Sequence, residues 1–162
     1  QWSGNTNAAT RETFKWESGK SLWIKARLKI GPSAAQNDLT IGLYVVDTDP
    51  LAITDGLWFS KADGSASLVF NATASSTAST ATAGTITADT YFTCGFWYDA
   101  TLGTATIYFN DNPVETLSSV ANFPTTELAV SFGIQNGEGS VASILSLDYL
   151  FVSKDRQQPA FA

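Results

Sequence analysis

The chain has no histidine and no methionine, and it has a single cysteine among 162 residues. Without histidine there is no Ser-His-Asp triad and no imidazole-ligated metal site. One cysteine, Cys94, cannot form an internal disulfide, so no disulfide framework stabilises the fold. Cys94 sits in an apolar strand pattern and reads as a buried structural thiol. The absence of methionine leads one to expect a segment ahead of Gln1, removed by processing or left off, and no signal peptide is visible within these residues. Charge is also scarce. Asp, Glu, Lys and Arg make up 15% of the chain, against roughly 25% in an ordinary soluble domain. Ser, Thr and Ala fill the gap, so much of the surface is small and neutral.

The scarce charge is unbalanced. A net charge of −6 and a pI near 4.4 oppose phosphate binding and adhesion to anionic lipid, so neither nucleic acid nor a membrane surface is an expected partner. No apolar run approaches the roughly 20 residues of a membrane helix. At 17.3 kDa the chain makes one domain large enough to bury about two-thirds of its unfolded surface.

Against this background, residues 21–30 (S-L-W-I-K-A-R-L-K-I) stand out. Leu22, Ile24, Ala26, Leu28 and Ile30 share one parity; Trp23, Lys25, Arg27 and Lys29 share the other. A period of two places these sets on opposite faces of a strand, one a core face and one solvated. Three of the nine Lys and Arg lie on that one solvated strip. Similar patterns occur at 39–46, 56–61, 66–72, 90–99, 103–110, 127–135 and 142–153. Turn residues separate them: Gly31-Pro32, Asp63-Gly64, the 110–113 run and Phe123-Pro124. The Thr/Ala-rich stretch 72–83 reads as a further strand, because Thr favours extended backbone. Residues 103–110 and 113–117 read as a hairpin around Asp111-Asn112. No segment of ten residues has a helical period. The expectation is an all-β fold of two packed antiparallel sheets, with residues 14–153 as the sandwich, 1–13 as an N-terminal arm and 154–162 as a C-terminal tail. Leu22, Ile24, Leu28, Leu43, Phe96, Ile107, Phe109, Phe132 and Leu147 are the expected core.

Without histidine, the catalytic option left is a carboxylate pair on a glycosidic bond. The five Glu (Glu12, Glu17, Glu115, Glu127, Glu138) do not pair within any one strand. Each remaining candidate has two readings. Lys25, Arg27 and Lys29 either meet an acidic partner surface or pair across strands with acids such as Asp148. Asp47, Asp49, Asp55 and Asp63 either offer oxygen ligands to Ca²⁺ or close Asx-turns. Trp58, Phe59, Trp97 and Tyr98 either form a sugar-stacking platform or pack in the core. Trp2, Phe14 and Phe161 are apolar residues in the unpatterned ends, suited to anchoring those ends on a partner.

Several runs resemble known families. W-I-K-A-R-L-K-I at 23–30 resembles an early strand of the concanavalin A-like glucanase fold, and S-L-D-Y-L-F-V-S at 146–153 resembles its last strand. Residues 96–111 (F-W-Y-D-A-T-L-G-T-A-T-I-Y-F-N-D) resemble its paired strands, whereas the E-x-D-x-x-E catalytic run of the laminarinase-type enzymes has no counterpart. Residues 39–68 (L-T-I-G-L-Y-V-V-D-T-D-P-L-A-I-T-D-G-L-W-F-S-K-A-D-G-S-A-S-L) resemble small concanavalin-like proteins of tailed-phage structural modules, as do G-F-W-Y-D at 95–99 and F-G-I-Q-N-G-E at 132–138. This resemblance implies a concanavalin-like jelly roll and a non-catalytic virion protein, an outer capsid decoration or cement protein without cofactor. Its partners would be the major capsid protein and copies of itself, as a dimer or trimer. The alternative is a non-catalytic carbohydrate-binding module in a tail, fibre or adhesion role.

Overall fold

A computed structural model describes residues 2–3, 14–45, 51–137 and 142–156. Among them every regular element is a strand: β1 (Trp2–Ser3), β2 (Phe14–Lys15), β3 (Leu22–Gly31), β4 (Asn37–Tyr44), β5 (Gly56–Lys61), β6 (Ser67–Ala74), β7 (Thr77–Thr85), β8 (Phe92–Asp99), β9 (Thr104–Phe109), β10 (Asn112–Leu117), β11 (Glu127–Asn136) and β12 (Ile144–Lys154). The larger sheet runs β1-β11-β4-β5-β6-β7. Because β2 also pairs with β11, at a different stretch from β1, this sheet is six strands wide. The smaller sheet runs β10-β9-β8-β3-β12. All pairings are antiparallel, as the two-sided pattern of β3 requires.

The inward parity of β3 is buried throughout, from Leu22 to Ile30. It meets Phe92, Cys94, Phe96 and Tyr98 of β8 and Ala105 and Ile107 of β9 in one core. The facing sheet contributes Leu39, Ile41 and Leu43, Leu57 and Phe59, and Leu68, Phe70 and Ala72. Aromatic rings span the gap between sheets: Phe59 lies 5.3 Å from Phe70, and Phe70 lies 4.9 Å from Phe96 across the interface. Such offset pairs contribute beyond their buried area. Of the nine expected core residues, Phe109, Phe132 and Leu147 are only partly buried. Phe132 and Leu147 lie where β11 and β12 face each other at the open side of the sandwich. The Phe109 ring packs over Gly84, where a Cβ would stand 2.5 Å from the ring.

Two hairpins depart from the sequence reading. The 72–83 stretch is two strands, β6 and β7, joined by a two-residue turn at Ser75 and Ser76, whose φ angles are 49° and 65°. The β9–β10 turn is Asn110-Asp111, with φ of 49° and 65°, one residue earlier than expected. Positive φ at both central residues matches the right-handed twist of the strands.

The register of β12 against β3 slips between Leu147 and Tyr149, leaving Asp148 as the extra residue of a bulge. Before it Leu145 and Leu147 oppose inward Ile30 and Leu28; after it Leu150 and Val152 oppose inward Ala26 and Ile24. Tyr149 and Phe151 therefore stand on the solvent side.

One inward position is a lysine. Lys61 is 2% exposed, and its ammonium donates to the carbonyls of Ala35, at 3.1 Å, and Asn37. Burial lowers its pKa, opposed by the charges of Asp38 and Asp63. Those two carbonyls have a charged donor only because Lys61 reaches back from β5 to the segment that opens β4. Lys61→Met should therefore cost about 1–3 kcal/mol. Phe70→Ala should cost about 3–5 kcal/mol. For both, urea unfolding is expected to show a lower midpoint with the slope unchanged.

Candidate functional site

The solvent face of the smaller sheet concentrates the side chains that composition makes rare. Register places Trp23 opposite Trp97, Lys25 opposite Gly95 and Arg27 opposite Thr93. On the other flank of β3, Tyr149 stands opposite Arg27 and Phe151 opposite Lys25. Tyr108 lies opposite Gly95 from β9. The face is thus a row of cations flanked by aromatic rings on both sides.

The cations are held in place. Arg27 pairs with Asp148 at 2.5 Å, so the bulge residue supplies the acid expected for this strand. Its guanidinium also stacks 4.3 Å from the Tyr91 ring centroid, and the Lys29 ammonium lies 5.5 Å from the same ring. Lys25 pairs with Asp111 of the β9–β10 turn at 2.7 Å. The hydrogen bond from Lys25 holds the Asp111 carboxyl below its usual range and raises the Lys25 pKa. The Thr93 hydroxyl meets the same Asp111 oxygen at 3.2 Å.

Beyond these pairs the face stays open. Phe151 is 51% exposed and Ile144 63%, with Tyr149 and Tyr91 also exposed. A depression of about 160 Å³ lies among Trp23, Lys25, Thr93, Gly95, Tyr108 and Asp111. It exists because Gly95 leaves an empty place in the pleat between Lys25 and Tyr108. Trp23 and Tyr108 flank it with ring centroids 5.4 Å apart at 49°.

The remaining candidates lie elsewhere. Trp58, Phe59, Trp97 and Tyr98 do not form a platform, because successive residues of a strand point to opposite faces. Phe59 and Tyr98 are core residues, while Trp58 and Trp97 stand on the outer faces of different sheets. Trp58 is itself only 8% exposed, lying over Gly42 and Gly56, where a Cβ would come within 2.6 and 2.9 Å of Trp58 atoms. Phe14 is in β2 and packs against the core, and the backbone of Trp2 pairs with Phe132. Phe161, Asp47 and Asp49 lie outside the described residues. The Asp55 carboxylate accepts the Ser75 amide at 2.9 Å, so it supports the β6–β7 turn. Asp63 receives its neighbour's support through its own amide, which donates to Asp38 at 2.9 Å. Among the described residues no cluster of three or more His, Cys, Asp or Glu could hold a metal ion. Cys94 faces the core, where burial pushes its thiol up, away from the reactive thiolate.

A second charged cluster ties the end of β12 to β2 and to the connection between β2 and β3. Glu17 pairs with Lys20 at 3.0 Å and with Lys154 at the end of β12. Lys154 also donates to the Lys15 carbonyl at 2.6 Å. Lys15, Lys20, Lys154 and Arg156 line the groove beside it.

No protein-family model matches the sequence, and no curated protein matches it. Solved structures do share the fold. Sheep galectin-11, solved with glycerol, superposes with a TM-score of 0.52 at 9% identity, covering 86% of this chain and 93% of the galectin. An alginate lyase from Pseudomonas aeruginosa gives 0.55 at 13% identity over 91% of this chain and 71% of the lyase. A family 18 polysaccharide lyase gives 0.52 at 11% identity over 85% and 73%. The chain is a jelly-roll sandwich of the concanavalin-like kind.

The Glu17 cluster yields a pH prediction. Hydrogen bonds from Lys154 and then Lys20 hold the Glu17 carboxyl at about 2, below its ordinary 4.5. A depressed carboxyl stabilises the folded state above its unfolded pKa and loses that effect as pH falls through its folded pKa. The tether should therefore be intact above pH 4.5 and dissolve towards pH 2. Side-chain carboxyl titration by NMR should show Glu17 titrating near the lower value. In Lys154→Ala its midpoint should move back towards the ordinary one.

Proposed function

We propose that the chain is a non-catalytic structural protein of a tailed-phage virion, an outer capsid decoration or cement protein. It docks on the major capsid protein through the solvent face of the smaller sheet and works as a dimer or trimer. The observation that carries this reading is the exposed aromatic and aliphatic strip of β12, with Phe151 at 51% and Ile144 at 63% exposure, beside ion-paired cations on a rigid sheet. Exposed apolar residues grouped with arginine and tyrosine are the composition of a protein-binding surface. The resemblance of residues 39–68 to proteins of tailed-phage structural modules is the reason for naming a capsid protein as the partner. The strip lies on the sheet face, whereas the Asp148 bulge interrupts the free edge of β12, so a partner gains side-chain area more readily than ladder hydrogen bonds.

A second reading, a non-catalytic carbohydrate-binding module in a tail, fibre or adhesion role, is favoured by the aromatic-flanked depression at Gly95 and by the fold shared with a galectin and polysaccharide lyases.

Mass spectrometry and cryo-electron microscopy of virions carrying the protein test the first reading. Hundreds of copies on the shell, with β12 against the capsid, is the expected result. A handful of copies at the tail, or none in the particle, would overturn it. Phe151→Ala combined with Tyr149→Ala should weaken shell binding at least tenfold, since centrally placed aromatic contacts dominate such interfaces.

A further inference from the structure

We propose that the depression lined by Trp23, Tyr108, Lys25 and Asp111 is a binding site for one neutral hexopyranose ring, a terminal sugar of a larger glycan. The proposal rests on the glycan-binding reading above and gives that reading a site.

Size sets the first limit. About 160 Å³ falls below the roughly 300–1,000 Å³ of pockets that enclose drug-sized ligands. It suits one small ring entering from solvent rather than a chain threaded through a groove.

The walls set the second. A pyranose has a flat face of C–H groups and an edge of hydroxyls. Trp23 and Tyr108, whose ring centroids are 5.4 Å apart, touch each other and together make one aromatic wall along which the C–H face can lie. An aromatic face carries partial negative charge, which attracts polarised C–H groups, and the contact removes apolar area from water.

The rim sets the third. Lys25 offers N–H donors, the Asp111 carboxylate offers acceptors, and Thr93 adds a hydroxyl beside it. Adjacent sugar hydroxyls can accept from the ammonium and donate to the carboxylate at once. This rim also selects against acidic sugars. Lys25 is already neutralised by Asp111 at 2.7 Å, so a uronate carboxylate would meet a like charge with no free cation to offset it. The floor is preset as well. A Cβ at Gly95 would stand 2.6 Å from the Ile24 carbonyl oxygen, so a larger side chain cannot fill the depression without moving the backbone of β3.

The test uses the full chain with methyl β-D-glucopyranoside, methyl β-D-galactopyranoside, methyl α-D-mannopyranoside and D-galacturonate, followed by NMR of the tryptophan indole N–H groups, and a glycan array. One neutral glycoside should bind saturably with Kd of about 1–10 mM, the range of a single small contact. The Trp23 signal should move. Trp23→Ala and Tyr108→Ala should each weaken binding at least tenfold, Trp23→Phe should weaken it less, and Leu102→Ala, at an exposed residue of the turn after β8, should leave it unchanged. Asp111→Asn should shift preference towards galacturonate. If Trp23→Ala does not fold, as judged by circular dichroism, Trp23→Phe and Tyr108→Ala carry the comparison. Array binding that survives Trp23→Ala and Tyr108→Ala would overturn this site and leave the glycan-binding reading standing. Silence of both the array and the glycosides would overturn both. A wild-type preference for galacturonate would overturn the rim argument and the assignment to neutral sugars.

Discussion

Contact between two sheets that no disulfide joins is the constraint on which this molecule depends. With one buried cysteine and no disulfide, the sheets are held by what interdigitates between them. The Phe59–Phe70–Phe96 series is the central part of that contact, since it reaches from β5 and β6 of one sheet to β8 of the other. Around it the aliphatic rows of β3 and β4 supply area. At one end Trp16 lies edge-on to Tyr98 and Phe123, at 5.5 and 5.4 Å, and closes the core where the chain enters β3. Once the inward parity is committed to this interface, the outward parity of β3 is free to carry charge and rings. The charged, ring-lined face is therefore a by-product of the same alternation that builds the core.

The two halves of the molecule use that freedom differently. On the smaller sheet the outward positions of β3, β8 and β12 reach solvent. On the larger sheet outward positions of β4, β5 and β11 are themselves buried: Tyr44 and Ser131 at 0%, Thr40 at 2%, Trp58 at 8%. The sequence of β4 shows this too, because L-T-I-G-L-Y is nearly continuous in apolar and small residues rather than alternating. A charged, ring-rich surface could only develop on the other sheet.

Much of the fold was legible because its signal is local. The strands that alternate cleanly, above all β3, announced both their faces, and the Asp148 partner of Arg27 followed from the same reasoning. What was illegible came from three sources. The turn at Ser75-Ser76 uses serine in a left-handed conformation, without the Asn-Gly or Asp-Gly signal, inside a run that has no apolar period. Lys61 looks like a surface residue by type, and only the carbonyls of Ala35 and Asn37, brought in from β4's approach, explain its burial. The depression beside Trp23 depends on the register of β3 against β8 and β9, a hairpin far along the chain from it. Trp23 shares the parity of Lys25, which could have marked it, but Gly95 and Tyr108 become its neighbours only once β8 and β9 are paired.

The bulge at Asp148 ties strand length to surface chemistry. One additional residue reverses the phase of β12, so that Leu145 and Leu147 ahead of it, and Leu150 and Val152 behind it, all reach the same interior. Had Asp148 instead taken an ordinary place in the ladder, Tyr149 and Phe151 would have been directed into the core, and Leu150 and Val152 out to solvent. The bulge thus puts the acid that anchors Arg27 on the strand while keeping the aromatic strip outward. Variation along this strand can exchange one exposed side chain for another, but a register that took Asp148 back into the ladder would exchange the interior residues with the exposed ones.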